Sequence, residues 1–108
     1  MKQEFKAKWL ADLRSGQYKQ GRKQLRDEYD QYCCLGVLCD GLGVRWEKLV
    51  SNYGASFSDP DGMSTAYLPE DVRELVGITV MDQARLVNLN DSDLWNFEQI
   101  AEYVEEML

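Results

Sequence analysis

A chain of 108 residues that is 44% hydrophobic makes one domain with an ordinary core. It has no apolar run near the roughly 18 residues of a membrane span, and no signal-peptide hydrophobic region at Met1-Lys2-Gln3-Glu4-Phe5, so we expect a soluble cytoplasmic protein. The net charge of −7 is segregated: residues 1–48 hold ten Lys or Arg against seven Asp or Glu and residues 49–108 hold two against twelve, which disfavours nucleic-acid binding by the acidic half while leaving a basic segment to attract an anion or dock a protein.

Residues 3–15 read as an amphipathic helix with Phe5, Trp9, Leu10 and Leu13 on one face, closed by Ser15-Gly16. Residues 17–26 are polar and basic around a single aromatic, Tyr18, and read as a loop or short strand. Residues 27–31 read as a turn joining short strands around Leu25 and Tyr32.

The stretch Tyr32-Cys33-Cys34-Leu35-Gly36-Val37-Leu38-Cys39-Asp40 holds all three cysteines in a nearly unbroken apolar run. Over residues 33–43, Cys34, Leu35, Leu38, Cys39 and Leu42 share one helical face, with Cys33, Gly36 and Asp40 opposite. Gly costs about 1 kcal/mol against Ala in a helix interior, so Gly36 implies a close approach by a neighbouring element. Gly41 and Gly43 set the end of this central helix near residue 42. An odd number of cysteines, two of them adjacent, cannot complete a disulfide framework, and without any His the set does not make a zinc site. A nucleophilic thiolate needs a nearby base or cation, which the run lacks, so the three read as buried reduced thiols, with no metal and no cofactor.

Further on, Trp46, Leu49, Val50 and Tyr53 fall at helical spacing. Ser58-Asp59-Pro60-Asp61-Gly62 is a turn signal, and with residues 55–57 before it and 64–68 after it predicts a small β-hairpin. Pro69 opens a helix with Glu70 and Asp71 in its first turn, Val72, Leu75 and Val76 as its buried stripe and Gly77 as its stop. Between 80 and 89, Val80, Ala84 and Val87 lie on one side and Leu86 and Leu89 on the other, the pattern of a helix buried on two faces. Asn96 and Gln99 make a capping box before a last helix whose inward face is Phe97, Ile100, Ala101, Val104 and Leu108. The predicted fold class is α+β: one mainly helical domain with a central cysteine-containing helix and a small hairpin.

Trp9, Leu13-Arg14-Ser15-Gly16, Tyr18-Lys19-Gln20-Gly21, the cysteine run, Tyr67-Leu68-Pro69, Leu89-Asn90-Asp91 and Phe97-Glu98-Gln99-Ile100-Ala101 together span nearly the whole chain. In this combination the chain resembles a family of small bacteriophage and prophage proteins. The resemblance implies an origin rather than a chemistry and carries over no site residue. Members of that family often have Gly where this chain has Lys23 and Asp93.

Three function classes follow. A small phage-type accessory protein would bind a host or phage protein in the host bacterial cytoplasm, for example to blunt a defence system; segregated charge and small size favour it. The candidate site is Tyr18, Lys19, Arg22, Lys23 and Arg26. Guanidinium forks, a stackable ring and the amides around Gly21 are also what phosphate and base recognition use, so a small anionic, nucleotide-like ligand is the alternative. The structural counterpart of both is a solvated loop pairing with the acidic half. A nucleic-acid mimic is a further alternative, built on Asp91, Asp93 and Glu98, Glu102, Glu105 and Glu106, although the glutamates are spaced as a solvated face. No carboxylate pair stands out for acid–base work and no catalytic residue is assigned, so the chain is not expected to be an enzyme.

Overall fold

The computed structural model describes residues 1–51, 54–58 and 66–108. In chain order its elements are α1 (Gln3–Arg14), β1 (Lys19–Gln20), β2 (Gln31–Tyr32), α2 (Cys34–Gly41), β3 (Glu47–Ser51), β4 (Gly54–Ser58), α3 (Glu70–Val76), α4 (Val80–Asp91) and α5 (Phe97–Met107). The fold class is α+β, as the sequence predicts, with one apolar core running through α1, α2, α4 and α5. From α1, Trp9 and Leu13 are buried, and Trp9 Nε1 donates to the Cys34 carbonyl at 2.9 Å, tying α1 to the start of α2. From α5, Ile100, Ala101 and Val104 complete the floor, and the Asn96–Gln99 capping box starts that helix.

The central helix is buried more completely than its periodicity implies. Cys33 to Cys39 are all buried, including Cys33 and Gly36, which the helical pattern puts on the open side; Leu42 is only partly covered. The cover over that side is the excursion from residue 21 to 32. Leu25 is 1% exposed, and its carbonyl lies where a side chain at Gly36 would have to sit. The same carbonyl accepts from the Cys33 amide at 3.3 Å. Gly36 therefore does serve a close approach, by backbone rather than by side chain.

Asn90 holds this excursion down. It is fully buried and uses every hydrogen-bonding position of its amide. Its Oδ1 accepts from Gln20 Nε2 at 2.8 Å and from the Cys34 amide at 3.3 Å, and its Nδ2 donates to the Gly21 carbonyl at 3.0 Å and to Asp91 Oδ1 at 2.8 Å. One side chain of α4 thus joins the start of α2, strand β1 and the turn after it. β1 and β2 pair in parallel, Lys19 with Gln31 and Gln20 with Tyr32, and Arg26 makes an isolated antiparallel bridge to Tyr32. The short strand expected around Tyr32 is β2; its strand partner is β1, and the residues around Leu25 contribute only that bridge.

Three expectations need correction. Trp46, Leu49 and Val50 belong to no helix: β3 and β4 form an antiparallel pair with Lys48 opposite Phe57 and Val50 opposite Ala55. The predicted hairpin therefore forms with the upstream partner for residues 55–57. Tyr53, the turn at 59–62 and residues 64–65 lie outside the described residues. Tertiary contact explains the outcome, since the Phe57 ring of β4 meets the Trp46 ring and the Arg26 guanidinium, a packing that the strand pair presents. In α3 only Val76 is buried, with Val72 partly so, and Leu75 is 50% exposed. α4 is buried on one face: Leu86 and Leu89 point inward with Gln83 and Asn90, while Val80 and Ala84 are exposed. The inward polar pair makes the difference. Gln83 Oε1 accepts from the Leu68 amide at 2.8 Å and Asn90 holds α2, so polar side chains occupy half of the inner face and turn Val80 and Ala84 outward.

Asn90→Ala should destabilise the protein by about 3 kcal/mol, because it leaves the buried Cys34 amide without its side-chain acceptor and takes from the Gly21 carbonyl the shorter of its two donors. Equilibrium urea unfolding measures this. A loss below about 0.5 kcal/mol, the range of an ordinary surface substitution, would show that the network does not close the fold.

Candidate functional site

The five residues Tyr18, Lys19, Arg22, Lys23 and Arg26 separate into two groups. Tyr18 and Arg26 are engaged within the fold. The Tyr18 hydroxyl donates to Asp40 Oδ2 at 2.7 Å, and Trp46 Nε1 donates to the other oxygen of that carboxylate at 3.1 Å. Burial, then the bond to Asp40, raises the Tyr18 phenol above its ordinary 10.0. The rings run in edge contact from Tyr18 to Tyr32 at 5.0 Å, to Trp46 at 6.3 Å and to Phe57 at 6.4 Å. Over the last three sits the Arg26 guanidinium, 4.0 Å from the Phe57 centroid, 5.7 Å from Tyr32 and 5.8 Å from Trp46. Its Nε and Nη2 donate to Asp30 Oδ1 at 3.0 and 2.6 Å. A cation stacked on aromatic faces and closed by a carboxylate is internally complete, and here it fastens the β3–β4 pair to the body of the fold.

Lys19, Arg22 and Lys23 are different. The Lys19 and Lys23 ammonium groups make no hydrogen bond or ion pair among the described residues, and Arg22 reaches only the neighbouring Gly21 carbonyl, at 3.3 Å. Their backbone is nonetheless fixed. Lys23 stands at φ 68, and its amide donates to Asp91 Oδ1 at 2.9 Å. A Cβ on Gly21 would stand 2.9 Å from Gln31 Cβ, so the turn packs directly on β2. The loop does dock on the acidic half, through its backbone and Gln20, which meet Asn90 and the Asp91 carboxylate, while the Lys19 and Lys23 side chains are exposed and Arg22 is half-buried.

A second arrangement lies next to the first. Gln20 Nε2 also donates to the Trp95 carbonyl at 2.8 Å, so the basic loop borders the start of α5. There Trp95, Gln99, Glu102, Tyr103 and Glu106 line an open groove of about 250 Å³. Sequence reasoning placed the glutamates in water and passed over the two rings. The available signal was spacing: Trp95, Gln99 and Tyr103 recur every fourth residue, one file along a helix.

The thiols offer no nucleophile. Cys33 caps α2 at its N-terminus, where amides of Gly36 and Leu35 favour the thiolate, yet burial outweighs them and pushes the thiol up from 9.0 to about 12. Burial likewise holds Cys34 well above 9.0, and its Sγ lies 3.8 Å from the Leu86 carbonyl. Among the described residues no group of three or more Cys, Asp or Glu is placed to hold a metal ion, and no helix is long and apolar enough to cross a membrane.

The model of a domain of unknown function, DUF8296, matches residues 1–82. The chain belongs to this family. No curated protein and no solved structure matches it. The DUF8296 match takes in α1, the basic loop, the cysteine helix and the β3–β4 pair, whereas Asn90 and the α5 groove lie beyond it.

The buried thiols set a pH dependence. In the unfolded chain a thiol ionises near 9.0, whereas in the fold Cys33 stays protonated up to about 12 and burial shifts Cys34 in the same direction. Stability is therefore intact below pH 9 and falls above it, by about 1.4 kcal/mol per pH unit for Cys33 up to about pH 12, with Cys34 adding in the same direction. Urea midpoints taken across this window should fall steadily, and a soluble disulfide reagent at neutral pH should leave all three cysteines unmodified until the protein unfolds. A flat profile with fast labelling would place the thiols in water.

Proposed function

We propose that this protein is a small phage-type accessory factor that docks on a host or phage protein through Lys19, Arg22 and Lys23. The observation that carries this reading is the separation of the loop's anchoring from its charge. The Asn90 amide, the Asp91 carboxylate and the close packing of Gly21 fix the loop through its backbone, and its cationic side chains are not used in that anchoring. Lys23 adds to it: a non-glycine residue held at φ 68 gives up on the order of 1 kcal/mol, and such strain concentrates where a side chain has to be presented. Exposed cations on a fixed loop steer an acidic surface into contact and set its register. Counter-defence within the host cytoplasm is the setting that the phage resemblance suggests.

Capture of a small nucleotide-like anion is the second reading. It has less support, because the ring and the guanidinium that would stack on a base and clamp a phosphate, Tyr18 and Arg26, already face Asp40 and Asp30.

Replacing Arg22 and Lys23 together by Ala should weaken partner binding at least about fivefold, more at low salt than at high, since exposed charges attract through a screened field. Unfolding stability should change by less than about 1 kcal/mol, because neither side chain is in an ion pair among the described residues. Affinity capture from phage-infected cells supplies the partner, and calorimetry on the unsubstituted chain and the double variant supplies the numbers. Unchanged binding would remove this loop from the interface, and retention of a bound nucleotide in native mass spectrometry would favour the second reading.

A further inference from the structure

α5 carries four acidic residues, all glutamates, and the fold treats them in two ways. Glu98 and Glu105 face α1: Arg14 reaches them at 3.4 and 2.9 Å, and Lys6 Nζ donates to the Glu105 carbonyl at 3.0 Å. Glu102 and Glu106, one turn apart, have no ion pair among the described residues and line the groove with Trp95, Gln99 and Tyr103. Like charges at this spacing repel, so the helix gains nothing by holding them together. The two rings stand beside them, half-buried, with centroids 6.5 Å apart at 76°. Trp95 is held from both sides, its carbonyl by Gln20 and the next residue, Asn96, by the capping box.

Unneutralised carboxylates next to π faces are complementary to an organic cation and to little else. An anion is repelled, and an apolar group would strip water from the glutamates without replacing it. A divalent metal ion would find too few oxygens in a fixed geometry. An ammonium or guanidinium head can meet the carboxylates while its alkyl stem lies on the rings. At about 250 Å³ the groove is smaller than the sites that enclose drug-sized ligands and suits one side chain.

We infer that the groove between Trp95 and Tyr103 receives one Lys or Arg side chain of a protein partner, its head held by Glu102 and Glu106. The occupant rests on the docking reading above. The groove borders the basic loop through Gln20, so the partner surface pairs an acidic patch with a protruding basic residue, the inverse of the charge order here.

The test is an NMR titration of the full chain with N-acetyl-arginine amide and N-acetyl-lysine amide, with the citrulline analogue as an uncharged control. The Trp95 indole and Tyr103 ring signals should move and saturate with the two cations and stay put with citrulline. Glu102→Gln with Glu106→Gln should weaken the cations at least about fivefold, with the unfolding midpoint unchanged because both side chains are exposed. Equal binding of citrulline, or full affinity in the double variant, overturns the inference. Tetramethylammonium binding as tightly as the amino-acid probes would give the groove to a small quaternary amine instead, and ring signals that move with protein concentration alone would give it to a second copy of the chain. Failure here leaves the loop reading intact, since the Arg22 and Lys23 substitutions test a different surface.

Discussion

The fold depends on one buried amide. Helix α2 is apolar on nearly every side, and a helix of that kind must be covered on every side. Three helices cannot do it alone: α1, α4 and α5 leave the strip marked by Cys33 and Gly36 open. The chain covers that strip with a stretch of mostly polar sequence, residues 21 to 32, whose backbone must be satisfied as it is buried. Leu25 supplies the apolar plug, and Asn90 supplies partners for the amide and carbonyl groups that plug brings inside. Without Asn90, the cover would bury unpaired groups each time it closed.

That constraint also explains where the exposed charge stands. A loop whose backbone is fastened by Asn90 and Asp91 does not need its side chains for attachment. Arg26 is used otherwise, as the cation that three rings share, and it carries β3 and β4 with it. What remains, exposed Lys19 and Lys23 with half-buried Arg22, is charge without a carboxylate partner among the described residues. The acidic half shows the same division: Glu98 and Glu105 pair with Arg14 of α1, while Glu102 and Glu106 have no ion pair among the described residues.

Periodicity made the helices legible. The boundaries of α1 and α2, the Pro69 start and Gly77 stop around α3, and the Asn96 box of α5 all rest on local rules that act within a turn or two of sequence. Gly36 was legible as a close approach for the same reason, since a glycine inside an apolar helix has a cost that something must offset. The hairpin was legible as an element but not in its pairing. Residues 55–57 can pair on either side, and only the position of Arg26 over Phe57, thirty-one residues away in sequence, favours the upstream partner.

Asn90 and the groove escaped sequence reasoning for a related cause. A buried polar residue has no period, and its partners at Gln20, Gly21 and Cys34 are set by tertiary contact alone. The helical pattern of α4 even pointed away from it, since Val80, Ala84 and Val87 seemed to require burial; the inward places were already taken by Gln83 and Asn90. The five candidate residues raise the same difficulty from the other direction. Composition can show that cations are concentrated, but whether a given cation faces outward depends on which rings and carboxylates the fold brings to it. Arg26 and Arg22 are four residues apart in one basic segment and both are half-buried, yet one is paired with a carboxylate and three rings while the other reaches only a backbone carbonyl. The choice between them is made by Asp30, Tyr32, Trp46 and Phe57.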